Sequence, residues 1–283
     1  MKKQSFIIRY SRYIATATFA LATVLSVNAK PQAVPDERLA EQRELFVKAE
    51  YAAKRGRLAE YRQLRAQLTD YPLLPYLELE RLQQVGYLAN EERVLTFLQQ
   101  YEGTPLDWQL RRPWLDYLAG QKEEERFIRD FRYPGTLTHR CQLISAERNQ
   151  GLENEPFIKK VDGVWLHGFS VPTACDGILN EWAELGARTT EKVWQRIKLA
   201  ADGGNATLIP YLTGLMPDNI QYLGELFHKV RYSPAAIHSD NRWLGRDPKR
   251  EAEIATYALK KLIWREESLA LSSYDKLIKR LPF

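Results

Sequence analysis

Few residues in this 283-residue chain have the type and spacing that chemistry needs. The four histidines, His139, His167, His228 and His238, include no i, i+4 pair, the spacing that puts two imidazoles on one helical face for zinc. No metal site and no cofactor are expected. Gly203-Gly204-Asn205 lacks the lysine and the serine or threonine of a phosphate loop and reads as a helix stop. Glu123-Glu124-Glu125 reads as a solvated helix start, where carboxylates complement the dipole. An active-site carboxylate is instead isolated in a cleft that raises its pKa. A cysteine nucleophile is disfavoured too: no histidine adjoins Cys175, and His139 beside Cys141 shows no third partner in the sequence. The residues alone assign no catalytic group.

The N-terminus reads as an export signal. Lys2, Lys3, Arg9 and Arg12 precede an apolar run from Tyr13 to Val27, and Val27-Asn28-Ala29 supplies small residues at cleavage spacing. The run of about 15 residues is shorter than the roughly 20 a membrane span needs. The expected organisation is a signal peptide over 1–29 and one helical domain over 30–283, with an uncleaved anchor as the alternative. After cleavage no stable membrane insertion is expected. Without the leader's four basic side chains, 41 basic residues become 37, against 36 acidic ones. The near-neutral balance removes the main support for a nucleic-acid partner. Two cysteines in an exported chain suggest a disulfide, Cys141–Cys175, with two buried free thiols as the alternative.

The elements that would position these residues are helical almost throughout. Apolar residues recur at three- and four-residue steps, and stops arrive every 12 to 18 residues. Asp36 is placed to cap a first helix that ends near Gly56. A second ends at Tyr71-Pro72, and residues 74–84 make a third with Tyr76, Leu77, Leu79 and Leu82 as its apolar face. Around Pro113 the pattern predicts either a helix start near Arg112 or a kink. Val161–Val171 alone has strand-like alternation. Asp247-Pro248 reads as an N-cap followed by proline at the first helical position. About fourteen short helices on tight connections predict an all-α superhelix of antiparallel helical hairpins, irregular and tetratricopeptide-like, with no strict repeat period.

Several ordered segments resemble one family. Asp70-Tyr71-Pro72-Leu73-Leu74-Pro75-Tyr76-Leu77-Glu78-Leu79-Glu80-Arg81 resembles a signature near the start of the soluble lytic transglycosylases. Cys141 and Thr173-Ala174-Cys175-Asp176 are similar to the paired cysteines of that family's helical domain. Trp194-Gln195-Arg196-Ile197, with Gly204-Asn205 after it, and Leu215-Met216-Pro217-Asp218 follow in the family's order. The resemblance covers about residues 40–283. It implies the N-terminal, ring-like helical domain of periplasmic enzymes that cleave peptidoglycan glycan strands with formation of 1,6-anhydromuramic acid.

The family's chemistry uses a Glu-Ser pair, followed by Gly-Leu-Met-Gln and Ala-Tyr-Asn-Ala-Gly segments around the cleft. Glu267-Ser268 is similar to the first, but neither later segment follows it, and Gly214-Leu215-Met216-Pro217 precedes it and ends in proline. No catalytic residue is therefore carried over, and Glu267 reads as a polar position on a surface helix. The resemblance implies a helical scaffold without the lysozyme-like catalytic domain. Its expected partners are peptidoglycan glycan strands or periplasmic cell-wall proteins. The alternative is an independent periplasmic helical-repeat module for protein interaction.

Overall fold

The computed structural model of the chain describes residues 36–84, 90–239 and 241–283. The leader and the side chain of Asp36, with its expected cap, lie outside the described residues.

Glycine and proline set the bounds of the first hairpins. Helix α1 spans Asp36–Lys54, α2 Leu58–Gln67 and α3 Leu74–Gln84. Gly56 turns the chain between α1 and α2 at φ +67°, a conformation glycine adopts without a Cβ clash. Pro75 occupies the second position of α3, where its missing N–H leaves no hydrogen bond unmade. Phe46, Ala49, Tyr61, Leu68 and Leu77 close a first core between the three helices. Leu77, Leu79 and Leu82 are buried, but Tyr76 is exposed. A helix turns about 100° per residue, so the position before Leu77 leaves the buried stripe.

Helices α4 (Glu91–Gln100), α5 (Pro105–Gly120), α6 (Glu124–Asp130) and α7 (Leu137–Asn149) build the second core. Of the two sequence alternatives around Pro113, the helix start near Arg112 is overturned: α5 starts at Pro105 and runs through Pro113. Leu110, Trp114, Leu115 and Leu118 flank that proline, each fully buried. Burying one such side chain contributes about 1.5–3 kcal/mol, so the four together outweigh the roughly 3 kcal/mol cost of an internal proline.

The third and largest core joins α7 to α8 (Asn154–Trp165), α9 (Asp176–Glu184), α10 (Thr190–Ala201), α11 (Ile209–Thr213), α12 (Gln221–Tyr232), α13 (Ala236–Ser239), α14 (Pro248–Leu262) and α15 (Glu267–Leu277). Asp247 caps α14 by accepting from Arg250 N–H at 3.1 Å, with Pro248 behind it. Val161–Val171 forms no strand: its first half closes α8, and the rest is a loop pressed against the end of α10. Asn205 N–H donates to Gly168 O at 2.7 Å, and a Cβ on Gly168 would meet Leu199 O at 2.3 Å. Backbone approach that close requires glycine.

Among the described residues there are fifteen α-helices and no strand. Contacts run between near neighbours in the chain, from α1 on α2 and α3 through α12 on α14 to α14 on α15. Three cores strung along the chain make an all-α superhelix of antiparallel hairpins.

One device recurs along the superhelix. The fully buried Trp114, Trp182 and Trp194 each donate an indole N–H to a carboxylate: Asp130 at 2.8 Å, Asp162 at 3.0 Å and Glu253 at 2.8 Å. Each carboxylate is in turn paired with a cation, Arg129, Lys192 and Lys198 respectively. The large apolar rings are buried with their polar atoms satisfied, which fixes the spacing of neighbouring helices.

Candidate functional site

The structure joins Cys141, on α7, to Cys175, in the 3₁₀ turn before α9, with Cα atoms 5.0 Å apart. Both sulfurs are buried in the third core and neither is a nucleophile. His139 does have a partner that sequence distance hid: Asp116 Oδ1 lies 2.8 Å from its Nε2. The imidazole is buried and edged by Trp108 and Phe127, so the pair ties α5 to α7. Among the described residues no group of three or more His, Cys, Asp or Glu side chains is placed to hold a metal.

The other candidate carboxylates are on surfaces. Glu123 pairs with Arg126 at 3.2 Å, and Glu124 accepts from Asn149 at 2.6 Å. Glu267 is the first residue of α15; it and Ser268 are exposed. A carboxylate there complements the unpaired N–H groups of the helix start. No cleft wall encloses it, whereas an acid for glycoside cleavage needs a desolvated position against its substrate.

Close to Glu267 in the chain, Trp264 and Arg265 border an open groove. The groove, of about 560 Å³, runs along α14 between the ends of α10 and α12. Its floor is aromatic: Phe227 and Tyr257 meet edge to face, with centroids 5.1 Å apart. Tyr257 donates its hydroxyl to Ala201 O at 3.0 Å, and burial raises its pKa. At the rim Trp264, 88% exposed, is the most exposed of the large apolar side chains. It stands in the turn after α14, where the helix gives way to three turn residues before α15.

Both carboxylates that line the groove are paired with lysines. Glu253 accepts from Trp194 and lies 3.1 Å from Lys198 Nζ, and Asp202 faces Lys261 at 3.8 Å. Lys261 also sits 5.5 Å over the Tyr257 ring. An open aromatic platform bordered by fixed donors and acceptors suits a polar ligand with apolar faces, such as a sugar ring. Tyr257 and Phe227 are legible in the sequence as apolar positions of helices. The sequence does not reveal the groove, which is assembled from α10, α12 and α14 across about 65 positions.

No family model matches the chain. It is 28% identical over 213 residues to the soluble lytic murein transglycosylase of Escherichia coli strain K12, covering 74% of this chain and 32% of the relative. The Salmonella typhimurium enzyme of the same name is 28% identical over 202 residues, covering 70% and 31%. The chain therefore spans about a third of the length of these curated relatives. Among solved structures, an inactive variant of lytic transglycosylase Slt from Pseudomonas aeruginosa superposes with a TM-score of 0.72 at 29% identity, over 84% of this chain and 39% of that one. The 70-kDa soluble lytic transglycosylase of Escherichia coli superposes with a TM-score of 0.66 at 23% identity, over 86% and 39%, and shares the fold. The chain is a homologue of the soluble lytic murein transglycosylases, matched along its helical superhelix.

Proposed function

We propose that this chain is a helical scaffold of the soluble lytic transglycosylase type, exported to the periplasm, that holds peptidoglycan glycan strands without cutting them. The observation that carries the reading is the superposition on Slt over 84% of the chain at 29% identity. The domain organisation that goes with it is a cleaved leader over 1–29 and a helical unit over 30–283. Glycan is held along the groove of Trp264, Tyr257 and Phe227, where sugar faces stack on the exposed indole and the paired charges orient hydroxyl and acetamido groups. Glu267, exposed at a helix start, does not act as the acid of a cleavage reaction. Titration of peptide-free glycan oligomers tests the groove: Trp264 fluorescence should shift on binding, and Trp264→Ala should weaken binding at least tenfold. Unchanged affinity in that variant would remove glycan from this groove.

One observation favours a second reading, a periplasmic module that docks proteins. Leu271, Tyr274 and Ile278 form an exposed i, i+3, i+7 stripe on the outer face of α15. Such a stripe is how a helix meets another helix. Co-purified periplasmic proteins that are lost in Leu271→Glu, together with no glycan affinity, would favour it.

A further inference from the structure

Among the described residues one buried cation has no carboxylate within ion-pair distance. Arg196, on α10, is 3% exposed. Its guanidinium lies 4.6 Å over the Trp165 ring and donates one N–H to Phe169 O at 2.9 Å. Its Nε meets no acceptor among the described residues, and no carboxylate among them lies within ion-pair distance. A buried charge without a counter-ion is strongly disfavoured, and such groups are normally paired. Among the described residues the buried Arg111 pairs with Asp107 at 2.7 Å, and the buried Glu251 accepts three hydrogen bonds, from Tyr222, Gly245 and Arg246.

Arg196 lines a cavity of about 430 Å³ between α9, α10 and α11. The exposed Arg188 borders it too, so the cavity has two arginines in its lining. Trp165, Trp182 and Leu179 give it apolar walls, and Asn180 supplies an amide. Asp176 also lines the cavity. One fixed negative charge disfavours a dianion such as phosphate but leaves room for a singly charged group opposite the two arginines. A planar carboxylate matches the fork of a guanidinium, and the apolar walls match a small organic body behind it.

We propose that this cavity binds the C-terminal carboxylate of a short peptide, held between Arg196 and Arg188 with the peptide body against the tryptophan wall. The electrostatics agree. Burial pulls the Arg196 guanidinium down to about 10, so it keeps its charge at neutral pH. Burial first, and the Arg196 charge second, push the His167 imidazole below its ordinary range. The proposal stands apart from the glycan groove, because α10 carries Arg196 on one side and Lys198 on another.

Calorimetric titration of the full chain with N-acetyl-alanyl-alanine, its C-terminal amide and acetate tests it. The acid should bind at least tenfold more tightly than the amide and at least tenfold more tightly than acetate. Arg188→Gln should weaken the acid at least tenfold with an unchanged melting temperature, since Arg188 is exposed. Arg196→Lys, which keeps the charge and loses the fork, should weaken it too. Equal binding of acid and amide, no binding of the acid at millimolar concentration, or full affinity in Arg188→Gln would overturn the assignment. Acetate binding as tightly as the dipeptide would overturn the peptide as its ligand.

Discussion

Gln83 on α3 donates its side-chain amide to the carbonyl oxygen of Gln109 on α5 at 2.9 Å. Gln109 is four residues before Pro113, so its carbonyl is the one that proline leaves without a helical donor. A side chain from the neighbouring hairpin thus supplies the missing bond and lets α5 continue. At this solvent-exposed site Gln83→Ala should destabilise by about 0.5–1.5 kcal/mol. In a Pro113→Ala background the helix recovers its own donor, and the cost of Gln83→Ala should fall towards zero. A double-mutant cycle by urea unfolding measures this coupling, and additive effects would contradict it.

The Cys141–Cys175 bond closes a loop of 34 positions. Loop-closure entropy for that length stabilises by about 3–4 kcal/mol, a large share of a domain's stability. Cys175→Ser should lower the melting temperature by several degrees or more, and reductant should lower that of the wild type but not of the variant. Mass spectrometry without reductant should find one linked peptide pair, and full alkylation of both cysteines would contradict the bond.

Gly168 and Gly177 should respond oppositely to alanine. At Gly168 a Cβ would meet the Leu199 backbone, which cannot swing aside, whereas at Gly177 in α9 a Cβ meets nothing within 4 Å. Gly168→Ala should destabilise by about 1–3 kcal/mol. Gly177→Ala should be neutral or stabilise by up to about 1 kcal/mol. Urea midpoints with an unchanged slope check both.

Much of this fold could be read in the sequence, because its helix bounds are set by local chemistry. Pro75, Gly56, Gly103, Gly186 and Asp247-Pro248 act within a turn of their own position, and the helices start and stop there. Where the sequence is ambiguous, the deciding partner is distant. The donor that rescues Pro113 comes from α3, and the backbone that flattens Gly168 comes from α10. The alternation over Val161–Val171 arose because a helix end and a loop met in the middle of that run. Arg196 lies between Trp194 and Ile197, and its residue type gives no sign of burial. Its burial follows from the Trp165 ring it stacks on and the Phe169 carbonyl it reaches, both distant in the chain. The aromatic groove was illegible for the same reason, since its three helices are far apart in the chain.

Alkaline pH should expose the Tyr222–Glu251 contact. Burial first, and the hydrogen bond to Glu251 second, raise the Tyr222 pKa above its ordinary value of 10.0. Folding therefore favours the protonated phenol. Its contribution is fully present below about pH 10 and is lost as pH rises towards the higher folded value. Unfolding free energy measured from pH 8 to 11 should fall at the alkaline end, and Tyr222→Phe should flatten that fall. Tyr257, raised by burial, should leave a smaller residual slope.

The most direct test of the scaffold reading is incubation of the chain with purified murein sacculi. The chain should co-sediment with the sacculi, lose most of that affinity in Trp264→Ala, and release no 1,6-anhydromuropeptides into the supernatant. Release by the wild type that disappears in Glu267→Gln would make Glu267 a catalytic acid and contradict the account. A chain that stays wholly in solution would contradict it from the other side.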